Sequence, residues 1–181
     1  MSVYASVFIA TSLDGFIARE DGAIDWLPQP DGSSSDDHGY SAFWSRIDGM
    51  VMGRNTLEVV LSFGSWPYED KEIVVLSHTL TPETLPELCR GKVRLHGGSL
   101  ADLMDDLERR GVTRIYVDGG KTIQSFLAEG LLQELIITRI PVLIGKGLPL
   151  FGALPHDVAL EHVETQAYPS GMVQSRYLVR R

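Results

Sequence analysis

Two short stretches of this chain set glycine beside basic and hydroxyl residues. Val51 to Thr56 reads VMGRNT, and Tyr116 to Thr122 reads YVDGGKT. Each follows a short apolar run and precedes a helical pattern, so each reads as a turn from a strand into a helix. Such a turn leaves the first N–H groups of the helix without intrahelical partners, at the positive end of the helix dipole, where an anion is favoured. The ending GGKT suggests a triphosphate loop of the form G-x-x-x-x-G-K-[ST]. That loop needs its first glycine at position 115, which is Ile115, so the turn is too short to wrap a triphosphate. A Rossmann fingerprint, G-x-G-x-x-G, follows no strand. GKG at Gly145 to Gly147 has Leu150 where the third glycine would stand. One glycine turn alone is only a tight turn. Two at the same edge of a parallel sheet, one carrying Arg54, suit a diphosphate held between two helix N-termini.

The elements that must position these turns are legible along the chain. Val3 to Ala10 is an apolar strand. Tyr40, Phe43, Trp44 and Ile47 recur at i, i+3, i+4, i+7, one face of a helix, with Asp36 and Asp37 before them as N-cap candidates. Met50 to Met52 is a strand, followed by a helix to about Leu61. Ile73 to Leu76 and Lys92 to His96 are strands. Ser99 opens a helix with a capping-box pattern, SLAD, and Gly111 closes it. Arg114 to Val117 is a strand, Ile123, Phe126 and Leu127 mark a helix ended by Gly130, and Leu135 to Ile140 is a strand. VALEHVETQAY and MVQSRYLVR pair around PSG as an antiparallel hairpin. Alternating strands and helices with a terminal hairpin predict an α/β fold with a mostly parallel central sheet.

Composition bounds the partners. The 181 residues suffice for one domain with a substantial core. A net charge of −8, with no basic patch, excludes the surface that duplex DNA needs, so no nucleic-acid partner is expected. The single cysteine, Cys89, excludes a disulfide framework and a multi-cysteine zinc site; no metal is expected. No apolar run reaches membrane-span length, and the N-terminus reads as a strand rather than a signal peptide. The expectation is a cytoplasmic protein with a small-molecule substrate and no membrane partner.

Five blocks, in order and with their spacing, carry a family resemblance: TSLDGFIA, DGMVMGRNT, IVVLS, IYVDGG and GLLQELIITRIPVLIGKGLPLF. Together they resemble the dihydrofolate reductase-like superfamily, and within it the reductase domain of the bifunctional riboflavin-biosynthesis deaminase/reductase and its stand-alone relatives. The resemblance spans residues 1–181 as a single domain. It implies a three-layer α/β/α fold and an NADPH-dependent oxidoreductase that passes a hydride to a pteridine-like or 5-amino-6-(ribosylamino)uracil-phosphate-like substrate. A non-catalytic NADPH-binding protein and a reductase of xenobiotic carbonyl or nitro compounds stay open as alternatives. The zinc deaminase signature H-x-E…P-C-x-x-C is absent, so the bifunctional enzyme is excluded.

Carried across by position, the resemblance implies an NADPH cradle made of Ala10 and Ile17 at the nicotinamide, Gly53, Arg54 and Thr56 in the first phosphate turn, Ser77 and His78 near the adenosine 2′-phosphate, and Gly119 and Gly120 under the pyrophosphate. The pocket acid of dihydrofolate reductases falls on Asp37, seventeen positions before Arg54, and Thr138 matches the threonine linked to it. These two are the candidate catalytic residues. Asp36 could exchange roles with Asp37, and a helix N-cap is an equally good reading of Asp37. Arg139 and Lys146 are candidates for a substrate phosphate, with plain surface charge as the other reading. The apolar segment RIPVLIGKGLPLF implies a homodimer contact.

Overall fold

The computed structural model describes residues 2–28, 36–68 and 70–180. In chain order its elements are β1 (Tyr4–Ser12), β2 (Phe16–Ala18), α1 (Tyr40–Trp44), β3 (Gly49–Gly53), α2 (Arg54–Ser62), β4 (Glu72–Leu76), β5 (Val93–His96), α3 (Leu100–Arg109), β6 (Arg114–Asp118), α4 (Gly120–Ala128), β7 (Glu134–Ile140), β8 (Leu148–Pro149), β9 (Leu160–Ala167) and β10 (Val173–Val179). The main sheet runs β5-β4-β3-β6-β1-β7-β10-β9. Its first six strands pair in parallel; β10 and β9 pair antiparallel. The hairpin and the mostly parallel sheet are therefore as the sequence implies.

The inner strands are nearly continuous apolar runs because both faces of the sheet are covered. One face packs on α3 and α4 through Leu103, Leu107, Ile123 and Phe126, against Val7, Val51 and Ile115. The opposite face packs on α1 and α2 through Phe43, Ile47, Leu57 and Val60, against Met50, Met52, Val75 and Tyr116. This is the three-layer arrangement. Cys89 is buried in the second core, where it packs rather than reacts.

Local chemistry sets the helix boundaries. Ser99 Oγ accepts from the Asp102 N–H at 3.1 Å, which caps α3, and Gly111 at φ 81° ends that helix region. α2 and α4 have no such cap. Gly53 and Gly119 precede them, and no side chain bonds to their first N–H groups. The sequence did not predict the ribbon of β2 and β8, which pair with each other outside the main sheet. Gln124 of α4 donates to the carbonyls of Pro149 and Leu150, each at 3.2 Å, and so fixes the ribbon above the start of α4. Asp14 closes the other side. Its carboxylate accepts from Gly145 N at 2.8 Å and Ile144 N at 3.3 Å, joining the β1–β2 turn to the loop after β7.

Candidate functional site

β3 and β6 are neighbours in the sheet, so the two glycine turns that follow them meet side by side. A Cβ on Gly119 would run into Thr56 Oγ1, and one on Gly53 would lie 3.0 Å from Thr122 Oγ1. A Cβ on Gly120 would stand 2.9 Å from Ile17 Cδ1 and 3.2 Å from Pro149 O. Gly119 also holds φ 96°, a conformation that side-chain-bearing residues rarely adopt. The glycines are thus required by the packing of the two turns against each other and against β2. The result is a pair of uncapped helix N-termini opening on one point, which is the donor set a diphosphate needs.

Around that point lies a cleft of about 1340 Å³ at the carboxyl ends of the parallel strands. This is where open α/β sheets bind ligands. Ala10, Ile17, Gly53, Arg54, Thr56, Ser77, His78, Gly119 and Gly120 all line it. Arg54 donates from Nε to Glu58 at 2.8 Å and reaches Thr79 Oγ1 at 3.4 Å. Ser77 Oγ accepts from the Leu80 N–H at 3.0 Å, which shapes the turn that presents His78. Lys121 and His96, which the motifs did not single out for this role, line the same cleft. His96 Nε2 lies 2.9 Å from the Ser99 carbonyl.

Of the carboxylates that line the cleft, Asp118 is the one that is not exposed. It ends β6 two residues after Tyr116, hence on the α1–α2 face of the sheet. Its Oδ1 accepts from the Gly119 N–H at 2.9 Å. Burial pushes its carboxyl up to about 6, against the lowering effect of the Gly119 N–H and the Tyr116 hydroxyl. Tyr40, Tyr68 and Tyr116 surround it. Burial and the Asp118 charge raise all three hydroxyls, Tyr40 to about 12. The Tyr116 hydroxyl donates to the Phe8 carbonyl at 2.8 Å, so toward Asp118 its oxygen is left to accept. Burial is the larger effect, so the protonated carboxyl is favoured on balance.

Asp37 does not occupy this position and does not line the cleft. Its exposed carboxylate accepts from the Gly39 N–H at 3.0 Å and the Ser41 N–H at 2.7 Å, at the start of α1. Hydrogen bonds from the Ser41 side chain and backbone hold it below the usual carboxylate range. The helix-cap reading of Asp37 fits this geometry, because the amides that fix the carboxylate also stabilise its charge. Asp36 likewise accepts from a local amide, His38 N at 2.8 Å. Thr138 is buried on β7 beside Ala10, and its Oγ1 accepts from Gln174 Nε2 at 2.9 Å. The same amide donates to the His38 carbonyl at 3.0 Å. Thr138 and the Asp37 segment are thus joined through Gln174, but Thr138 too stands outside the cleft lining. Arg139 is exposed on β7, and Lys146 pairs with Glu20 at 2.9 Å.

A three-layer α/β domain with this sheet order and a glycine-lined cleft at its carboxyl edge is of the dihydrofolate reductase-like kind. The chain belongs to the RibD C-terminal domain family, whose model matches residues 3–174. The uncharacterized protein YwjB of Bacillus subtilis (strain 168) is 34% identical over 174 residues, 95% of each chain. A crystal structure from Shewanella sp. PV-4, of a protein named for riboflavin biosynthesis, is 43% identical over 100% of both chains with a TM-score of 0.89. RibD of Acinetobacter baumannii shares the fold at a TM-score of 0.72 and 20% identity, matching 99% of this chain and 59% of its own. The class is therefore that of the RibD C-terminal domain. Among the described residues no helix is long and apolar enough to cross a membrane.

Proposed function

We propose that the protein is an NADPH-dependent reductase that delivers a hydride to a C=N or C=O bond of a heterocyclic substrate of the pteridine or ribosylaminopyrimidine kind. The observation that carries this reading is the convergence of two uncapped helix N-termini, Arg54 and His78 on one cleft whose floor is a carboxyl raised to about 6. In this reading Gly119, Gly120, Gly53 and Thr56 hold the pyrophosphate, and Arg54, Ser77 and His78 meet the 2′-phosphate. Ala10 and Ile17 position the nicotinamide. The bound cofactor supplies the hydride; the chain orients both partners and supplies the proton. Asp118, not Asp37, holds that proton. Titration of NADPH and NADH by intrinsic fluorescence tests the cofactor site. Tighter binding of NADPH is expected, and equal or absent binding of both overturns the reading.

The same reading includes a homodimer. Every residue of β9 is exposed, although it is the edge strand of an eight-stranded sheet. Leu143, Phe151, Leu160 and Val163 are exposed at 68%, 45%, 41% and 42%. An open edge strand with exposed apolar side chains on it and near it is a surface that native proteins cover.

A further inference from the structure

Charge in the cleft is distributed unevenly. Among the described residues, the lysines and arginines that line it are Arg54 and Lys121, together with His78 and His96. Arg54, His78 and His96 lie along the β3, β4 and β5 ends, and Lys121 lies in the first turn of α4, so all four face the proposed dinucleotide phosphates. Five carboxylates line the same cleft: Glu20, Asp21, Glu58, Asp118 and Glu129. Glu20 and Asp21 follow β2, the strand whose Ile17 lies over the α4 start, and Asp118 forms the floor. Two cations at the β2 end of the cleft are already matched. Arg19 is bidentate on Asp25 at 2.6 and 2.9 Å, and Lys146 holds Glu20. Residues 29–35, QPDGSSS, contribute one acid to the sequence and no lysine, arginine or histidine.

The wall beside Asp118 is aromatic instead. Tyr68 lines the cleft and packs on Trp44 with ring centroids 5.4 Å apart. Trp44 stacks on Tyr40 at 6.2 Å, and Tyr40 meets Phe8 edge-on at 5.6 Å. Within the cleft lining this wall offers the Tyr68 ring to a planar molecule and no lysine or arginine to an anion; Lys71, over the Trp44 ring at 5.7 Å, stands outside the lining. A phosphate there would be dehydrated against carboxylates, which costs binding unless a cation compensates.

We infer that the substrate half of this cleft takes a planar heterocycle without a phosphate, neutral or cationic, and discriminates against phosphoribosyl compounds. The inference rests on the cofactor reading above, because the four cleft cations are assigned to the dinucleotide. It separates the two substrate kinds that reading holds together: the aminopyrimidine is accepted only as its unphosphorylated riboside, beside the pterins.

Calorimetric titration of the protein saturated with NADP+, which cannot donate hydride, tests this without turnover. The probes are two pairs that differ by one anion: 5-amino-6-ribosylaminouracil with its 5′-phosphate, and pterin with pterin-6-carboxylate. Ribose 5-phosphate alone is a fifth probe. At least one uncharged heterocycle is expected to bind tenfold or more tighter than its anionic partner, with no binding of ribose 5-phosphate. Glu20→Lys, on an exposed loop, should narrow that gap. Saturable binding of ribose 5-phosphate, or equal or tighter binding of the anionic partners, overturns the inference. Binding of none of the heterocycles overturns it as well. A gap that stays the same in Glu20→Lys shows steric exclusion and refutes the electrostatic argument. Failure of NADP+ to bind, read in the first step, overturns the reductase reading and this inference with it.

Discussion

Asp118→Asn should make the protein more stable and less active, and the two effects should appear in the same pH range. In the wild type the folded-state carboxyl titrates near 6, above the ordinary value of 3.8, because burial disfavours its charge. The folded protein therefore binds this proton more tightly than the unfolded chain. Relative stability is full below the unfolded value and is lost as pH rises from about 4 through about 6; above that it is flat. At about 1.4 kcal/mol per tenfold, the interval corresponds to ~3 kcal/mol. Partial exposure to the cleft discounts this to roughly 1–3 kcal/mol. Asparagine keeps a carbonyl to accept from Gly119 N, now at 2.9 Å, and carries no charge. At pH 8 the variant should melt about 2–12 °C higher than wild type, given roughly 2–4 °C per kcal/mol for a chain of this size. At pH 3.5 the two should melt together. In single-turnover assays, the wild-type hydride step should fall about tenfold per pH unit above about 6, because the protonated carboxyl is the competent form. The variant should lose roughly 10²- to 10⁴-fold near pH 6 and show no such fall. A variant that melts lower at pH 8 would show that the charge is paired and stabilising. A variant that keeps the rate and the pH profile would refute Asp118 as proton source.

Other outcomes follow from the same geometry. Gly119→Ala should destabilise by about 1–3 kcal/mol through its backbone conformation and the Thr56 contact, and Thr56→Ala should recover part of the loss in a double-mutant cycle of chemical melts. Removing the His78 side chain by His78→Ala should weaken NADPH by roughly tenfold or more while leaving NADH nearly unchanged in fluorescence titration, if a charge-assisted contact of ordinary strength is lost. Asp37→Asn should lower the melt slightly at neutral pH, because its amide can accept only one of the Gly39 and Ser41 N–H bonds, and leave the pH–rate profile unchanged; Asp37→Ala should cost about 0.5–2 kcal/mol of stability and still spare the rate. Light scattering at micromolar concentration should give twice the chain mass, and a monomer mass would refute pairing through β9.

Much of the scaffold is legible because its signals are local. The apolar runs at Val51, Val74 and Ile115 become buried parallel strands, and the Ser99 cap opens α3 where SLAD predicts. The two glycine turns were readable for the same reason, since an unsupported N-terminus needs only a strand, a glycine and a helix in succession. The β2–β8 ribbon was not readable: it pairs Phe16 with Pro149 through two very short segments far apart in the chain. The choice of acid was not readable for a related reason. A carboxylate at a helix start and one at a strand end are equally plausible by residue type and position count. What separates them is how many donors each meets and what else surrounds it. Asp37 gathers the Gly39 and Ser41 amides and stays exposed, so its charge is stabilised and it is a poor proton donor near neutral pH. Asp118 meets one amide and lies among tyrosines drawn from positions 40, 68 and 116, so its charge is penalised. Only tertiary packing brings those three rings to one carboxyl, and it is that packing which raises the aspartate of a glycine-turn motif.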